Sequence, residues 1–381
     1  MTPAPAHDVD VCIPIGGFNL SGGVKVLVLI ANGMAARGWR VSFVAPDFAA
    51  ESPFPLAPDV SVTTLGSGPR WLPLSTRKIL YYLHLGLVAA RGARVCLANY
   101  YPTAVCAVLS RWVSNRAARV VWYVQGDEAV SHGLLAEAGR ASRLLRYGLA
   151  RLSYRLPLST VCVSRWVRSR IGRPADPVRH APAVDPAVFH PGPPRPGSGR
   201  LVVGTIGRRG ETKGYEVFRE AVRRLPRPHD LKILVASPTP DEVPLPVGVD
   251  AEGVHARSDQ AMAEFYRRCD VFVLPSRMEA FPLPPLEAMA CGCAVVSTAC
   301  GGVEDYAENG VNCLLVPPGD PASLATAVWR ACTDDPLRQR LARHGAMTAR
   351  RFEREAMVRE FVALVSEVLE DTPAVPAEVG R

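Results

Sequence analysis

Short apolar runs alternate with helical patterns along nearly the whole chain, and after residue 200 the alternation starts again. DVDVCIPI (8–15) leads through a glycine-containing loop to VKVLVLIANGMAARG, a helical pattern ending at Gly38, and then to the strand-like WRVSFVAP. RVCLA, RVVWYV and STVCVS follow as short buried strands with helices between them. Beyond Arg200 the order is LVVGTIG as strand, YEVFREAVRRL as helix and LKILVAS as strand, with DVFVLPS, CAVVST and CLLV later and helical patterns from Asp320 to about Leu369. Repeated βαβ units of this kind form parallel sheets covered by helices on both faces. The break is PGPPRPGSGR (191–200), rich in proline and glycine and without apolar period. The expected organisation is therefore a first doubly wound domain over 1–190, a linker over 191–200, a second over 201–355, and a terminal helix with tail over 356–381 that packs back on the first. A length of 381 residues fits two cores of roughly 150 to 200 residues each. In such sheets ligands bind beyond the carboxyl ends of the strands, so the loops there should line a cleft between the domains.

With 48% hydrophobic and 21% charged residues, neither half reads as disordered. The start, MTPAPAHDVD, lacks the basic and apolar regions of a secretory signal, and Lys25, His84 and Arg91 interrupt the apolar stretches, so a cytoplasmic location is expected. Ten cysteines are scattered with no C-x-x-C pair and no nearby histidine, which reads as buried thiols and not as a zinc site. Of 44 cations only Lys25, Lys78, Lys213 and Lys232 are lysines. GRASRLLRYGLARLSYR (139–155) sets a basic stripe beside a leucine-rich one at helical spacing. That pattern fits a solvated face, or attraction to an anionic acceptor or lipid surface; no aromatic–basic interleaving or reader motif points to nucleic acid.

Three loops carry chemistry. In GGFNLSGGVKV (16–26), Gly22 and Gly23 open a helix whose N-terminal N–H groups suit a phosphate, although a purely structural glycine turn fits equally and the G-K-[ST] of a P-loop is missing. In GRRGETKG (207–214), Arg208 and Lys213 flank a turn between strand and helix. A lysine there, in so arginine-rich a chain, indicates a position that calls for a compact ammonium, and both side chains suit phosphate oxygens; two solvated cations are the alternative. In EAFPLPPLEAMACG (279–292), Glu279 lies past the end of a buried strand. Pro284 and Pro285 fit the first turn of a short helix, and Gly292 fits its end. The N–H donors left at the mouth are those of Ala280, Phe281, Leu283 and Leu286, and Glu287 is expected in the first turn. Glu287 would then complement the helix dipole, or with Glu279 grip neutral hydroxyls of a sugar and a ribose on either side of an anion.

Together E-x7-E followed by A-M-A-C-G, the G-G loop, the R-x4-K loop and the G-x-E-x5-G segment from Gly302 to Gly310 resemble the retaining GT-B glycosyltransferases of family 4. The resemblance spans almost the whole chain and is most specific from about Gly204 to Asp320. It implies two Rossmann-like domains facing each other across a cleft. It assigns Arg208 and Lys213 to the donor diphosphate, Glu287 to the ribose and Glu279 to hydroxyls of the transferred sugar, with Gly22 and Gly23 closing from the first domain; the N–H groups of Phe281 and Leu283, as donors near a helix N-terminus, are expected to face the donor as well. Glu279, Arg208 and Lys213 are the expected catalytic set. Three departures stand out: Pro282 replaces a usual glycine, PAVD (182–185) lacks a common Asn-Gly, and YVQGDE (123–128) replaces a usual histidine, leaving Gln125, Asp127 or Glu128 to face the acceptor or sugar.

The implied reaction takes a UDP- or GDP-sugar as substrate, with no cofactor, and a glycan, lipid-linked or natural-product hydroxyl as acceptor. No metal is expected, since the only D-x-D cluster, Asp8-Val9-Asp10, starts a buried strand. With no carboxylate placed as nucleophile, the resemblance implies front-face attack with retention, the leaving phosphate helping to take the acceptor proton. A nucleotide-sugar epimerase, a phosphorylase, or a catalytically silent nucleotide-sugar-binding subunit are the alternatives on the same scaffold.

Overall fold

A computed structural model describes residues 9–88, 93–114, 118–133, 140–181, 184–193, 200–208 and 210–370. Most of the expected linker (194–199), the Pro182-Ala183 half of PAVD and the tail after residue 370 lie outside the described residues. Two compact units result: Met1–Val163, Val167–Arg179 and Met357–Arg381 form the first, and Ser164–Trp166 with His180–Ala356 the second.

In the first unit six strands, β1 (Val9–Pro14), β2 (Val41–Pro46), β3 (Val60–Leu65), β4 (Ala93–Ala98), β5 (Arg119–Val124) and β6 (Ser159–Cys162), lie parallel in the order β3-β2-β1-β4-β5-β6. Helices connect them: α1 (Gly22–Ala35), α2 (Leu74–Val88), α3 (Tyr101–Ser114), α4 (Glu128–Gly133) and α5 (Arg140–Ser153), with α6 (Arg165–Arg170) after the last strand. Central strands such as VDVCIP and RVVWYV are β-branched or aromatic and buried on both faces, as a covered parallel sheet requires. Register follows the same residues, Val11 lying opposite Val41 and Val95.

The second unit repeats the plan. Its strands β7 (Leu201–Ile206), β8 (Leu231–Ser237), β9 (Asp250–His255), β10 (Val271–Leu274), β11 (Ala294–Thr298) and β12 (Leu314–Val316) run parallel as β12-β11-β10-β7-β8-β9. Its helices are α7 (Tyr215–Arg223), α8 (Asp259–Arg267), α9 (Leu283–Ala290), α10 (Pro321–Thr333) and α11 (Asp335–Arg350). Val203, Ile233, Val271, Val273 and Val296 pack against Phe218, Leu324, Val328 and Leu341 on one face. Residues Phe265, Tyr266, Leu286 and Met289 are buried as well. The last helix, α12 (Arg354–Glu370), brings Phe361 edge-on to Tyr123, with ring centroids 5.1 Å apart. Gly33 permits its approach, since a Cβ there would lie 2.4 Å from Val358 Cγ1.

Numbered within each unit, both sheets have the order 3-2-1-4-5-6. The direction of winding therefore reverses between β1 and β4, and again between β7 and β10. A crevice opens beyond the carboxyl ends of the strands at each such reversal, and ligands of doubly wound sheets bind there. The expected doubly wound α/β class is what the chain adopts.

Candidate functional site

The loops after β7 and β10 flank the reversal in the second sheet, and backbone chemistry locks them together. After Gly207 the chain passes the exposed Arg208, turns at Gly210 (φ +116°) and makes one 3₁₀ turn over Glu211–Lys213. Gly214, at φ +63°, ends that turn and opens α7. A Cβ at Gly214 would sit 2.0 Å from the Pro275 carbonyl oxygen, so only glycine lets this loop press on the end of β10. Arg277 N donates to Thr212 O at 2.8 Å and ties the second loop to the first.

That contact places the two sequence-predicted charges together. Lys213 Nζ donates to Glu279 Oε1 at 2.9 Å and to Oε2 at 3.2 Å, and Ser276 Oγ donates to Oε1 at 2.9 Å. Ser276 is buried and its carbonyl accepts from the Thr298 hydroxyl, so the carboxylate is anchored from below. The main chain of Glu279 is clamped too, its N–H donating to Cys300 O and its carbonyl accepting from Gly302 N, both at 2.8 Å. Gly302 is obligatory here: a Cβ would lie 1.7 Å from Ala280 O. A cavity of about 360 Å³ is lined by Arg208, Glu211, Tyr215, Val243 and Arg277; Lys213, Glu279 and Glu287 do not line it.

Beyond Glu279 the proline-rich segment is held from behind. Phe281 is buried against His180, Tyr306 and Phe352, with ring centroids 5.1 to 5.8 Å away. Tyr306 donates its hydroxyl to Pro282 O at 2.7 Å. Pro282 caps α9, Leu283 is its first residue, Pro284 and Pro285 follow, and Leu286 comes at the end of the first turn. Gly292, at φ +89°, follows the helix end, as expected for a left-handed stop.

Glu287 departs from expectation. The helix begins at Leu283, so Glu287 is its fifth residue and no acid occupies the first turn. It is also buried, and Tyr266 donates its hydroxyl to Oε2 at 2.9 Å. A carboxylate inside the fold with a fixed donor is a positioned acceptor, where a dipole-complementing glutamate would be solvated. Burial first, and then the charge and hydrogen bond of Glu287, push the Tyr266 hydroxyl well above its ordinary range, while the Arg208 guanidinium partly opposes them. Tyr266 therefore stays a proton donor.

Ser276, Tyr266 and Gly214 went unremarked in the sequence. Tyr266 touches Glu287 only through the fold, whereas Ser276, three residues before Glu279, and Gly214, which directly follows Lys213, were within reach of the sequence. Beside the segment, Asp305 accepts from His180 Nε2 at 2.9 Å and Arg165 N at 2.8 Å. Burial raises the Asp305 pKa, but these hydrogen bonds and the neighbouring positive charges outweigh it and hold the carboxyl below its ordinary range.

In the first unit the predicted residues gather after β1 and β5. Gly22 starts α1 behind Ser21, whose Oγ accepts from Val24 N. Gly23 meets Gln125, which donates Nε2 to Gly23 O at 3.3 Å; a Cβ on Gly23 would be 2.6 Å from Gln125 Oε1. Asn99 Nδ2 donates to Pro14 O at 2.7 Å across the reversal between β1 and β4. Asp127 accepts from Val130 N in the first turn of α4 at 3.3 Å and pairs with Arg170 at 3.2 Å. Glu128 is buried and accepts from Tyr101 N at 2.7 Å; burial pushes its pKa up to about 8.

Chemically, the second-unit site offers two cations, a clamped carboxylate and a buried carboxylate around a helix N-terminus. Lys213 and Glu279 form an ion pair. An anion that engages the ammonium would free oxygens of Glu279 for hydroxyl donors.

Residues 200–334 match the family described as Glycosyl transferases group 1. The D-inositol 3-phosphate glycosyltransferase of Stackebrandtia nassauensis is 34% identical over 196 residues, 45% of this chain and 44% of the relative. The enzyme of the same name from Acidothermus cellulolyticus is 27% identical over 401 residues, 94% of this chain and 88% of the relative. Against the first of these curated relatives the chain spans less than half their length. Among solved structures, sucrose-phosphate synthase from Thermosynechococcus elongatus superposes with a TM-score of 0.80 at 19% identity, covering 96% of this chain and all of the other. Anabaena HepE in complex with UDP-glucose gives 0.70 at 17% identity, over 94% of this chain and all of the other. At these identities the structural likeness establishes the GT-B fold.

Proposed function

We propose that this chain, which belongs to the group 1 glycosyltransferases, moves a sugar from a nucleoside-diphosphate sugar to an acceptor hydroxyl with retention of configuration. The observation that carries the reading is the Lys213–Glu279 pair, held by two interlocked loops at the winding reversal of the second sheet. Arg208 and Lys213 bind the diphosphate and stabilise the charge that develops as it leaves, from positions fixed before the reaction starts. Glu279, released in part from Lys213, accepts hydrogen bonds from sugar hydroxyls. Glu287, oriented by Tyr266, takes the ribose, and the N–H groups of Phe281 and Leu283 face the donor at the mouth of α9. Attack comes from the face the diphosphate leaves, and a phosphate oxygen takes the acceptor proton.

HepE, a neighbour in fold, holds UDP-glucose, which supports a uridine donor as the first candidate. The names of the relatives make inositol phosphate the first acceptor to try. Gln125, Asp127 and Glu128 are assigned to the acceptor or sugar. The test is a panel of UDP, GDP and TDP scored by melting temperature, followed by donor consumption with and without acceptors. A nucleotide at about 100-fold over its Kd adds ~2.7 kcal/mol of stability. Stabilisation by one nucleotide and acceptor-dependent release of it supports the reading. Isomerised donor without acceptor, dependence on inorganic phosphate, or binding without turnover refutes it.

A further inference from the structure

Between Glu279 and the start of α9 the chain carries open backbone donors. Among the described residues no backbone carbonyl accepts from the N–H of Ala280 or Phe281, although Phe281 is buried, and the first N–H groups of α9 have no partner inside the helix. Such donors hold an anion well when the chain that carries them is fixed beforehand. The two ends of the segment are fixed by the backbone: Glu279 O accepts from Gly302 N at 2.8 Å, and Pro282 O accepts from the Tyr306 hydroxyl at 2.7 Å. Between them the Phe281 peptide is oriented through its side chain.

His180 holds that side chain. Its ring lies 5.1 Å from the Phe281 ring at 31°, and Phe352 closes on both, edge-on to His180 at 5.3 Å and tilted to Phe281 at 5.8 Å. The imidazole is itself tied down, because Nε2 donates to Asp305 Oδ2 at 2.9 Å. Asp305 is 3% exposed, and although burial raises its pKa, the bonds from His180 and Arg165 and their charges hold the carboxyl below its ordinary range. It stays ionised, so the proton of this bond sits on Nε2. Asp305 ends the short 3₁₀ turn Gly302–Asp305, and Gly302 at the other end of that turn clamps Glu279. One turn therefore fixes Glu279 directly and the Phe281 ring through His180. We propose that His180 is a positioning residue of the donor site proposed above: tied to Asp305, its ring sets Phe281 so that the N–H groups of Phe281 and Leu283 meet the donor diphosphate. In this role it meets no reacting atom.

The test is the affinity of the full chain for UDP by calorimetry and for uridine by NMR titration, with GDP and guanosine in parallel. His180→Phe keeps a ring against Phe281 and Phe352 and loses the bond to Asp305. The position is 26% exposed and Asp305 keeps its bond from Arg165 N, so this variant should fold, with circular dichroism as the check. Its Kd for the diphosphate should rise roughly ten-fold or more, while its Kd for the nucleoside stays at the wild-type value. Asp305→Asn keeps an oxygen for Nε2 and should lose less. A diphosphate Kd unchanged in His180→Phe, a nucleoside Kd that rises equally, or a greater loss in Asp305→Asn than in His180→Phe overturns the proposal and leaves the donor site standing. A wild-type chain that binds no nucleoside diphosphate overturns the donor site, and the role of His180 with it.

Discussion

Replacing Lys213 by alanine separates a functional reading of the Lys213–Glu279 pair from a structural one. The ammonium sits 2.9 Å from the carboxylate, and the two side chains are 32% and 20% exposed. Water screens a pair so placed, and its contribution to folding is that of a surface ion pair, about 0 to 1 kcal/mol. A charge-assisted contact with a departing diphosphate contributes more, roughly 1.5 to 3 kcal/mol, or about 10 to 150-fold in kcat/KM. Lys213→Ala should therefore lose one to two orders of magnitude of activity while its stability changes by less than about 1 kcal/mol. Glu279→Gln should behave alike, and because the side chains touch, the double variant should lose less than the sum of the two. The assay is donor consumption at saturating acceptor, run beside thermal denaturation. Wild-type kcat/KM in Lys213→Ala, or an activity loss explained wholly by unfolding, would remove Lys213 from the diphosphate site.

Tyr266→Phe removes a donor from buried Glu287 and should cost about 1 to 3 kcal/mol of stability, with weaker nucleotide affinity by calorimetry; unchanged affinity would remove Glu287 from the ribose assignment. Gly302→Ala forces a Cβ to within 1.7 Å of Ala280 O and should abolish soluble folded protein or depress its melting temperature strongly, as circular dichroism will report. Glu128, whose pKa burial raises to about 8 from an ordinary 4.5, holds a proton in the folded state that the unfolded chain has released. Its contribution is fully present below about pH 4.5 and fades as pH rises toward 8, and Glu128→Gln should flatten that decline in urea unfolding across pH 5 to 8. A slope unchanged by the substitution would refute it.

The sequence made the central strands legible and left the edges hidden. Runs such as RVVWYV and DVFVLP are continuous apolar stretches because both faces of a central parallel strand are covered. At the sheet edges, VSVTTL (β3) buries only Val60 and Leu65, and DAEGVH (β9) has no fully buried residue, so neither presents the same signal. Of the site, the residues next to one another in sequence were readable: Lys213 in its glycine turn, and the proline-stiffened entry to α9. Their companions were not, since Tyr266 reaches Glu287 and Thr298 reaches the Ser276 carbonyl only through strand register and helix packing, and the local Ser276–Glu279 contact depends on how the loop after β10 turns. Glu287 falls one residue beyond the expected first turn because three prolines blur where a helix starts.

A structure of the chain with a nucleoside diphosphate bound decides whether the loops after β7 and β10 hold the donor. Phosphate oxygens should lie within hydrogen-bond reach of Arg208 and Lys213, with the ribose on Glu287. A diphosphate seated elsewhere, for instance between Tyr215 and Val243 with Lys213 still paired to Glu279, would contradict this placement.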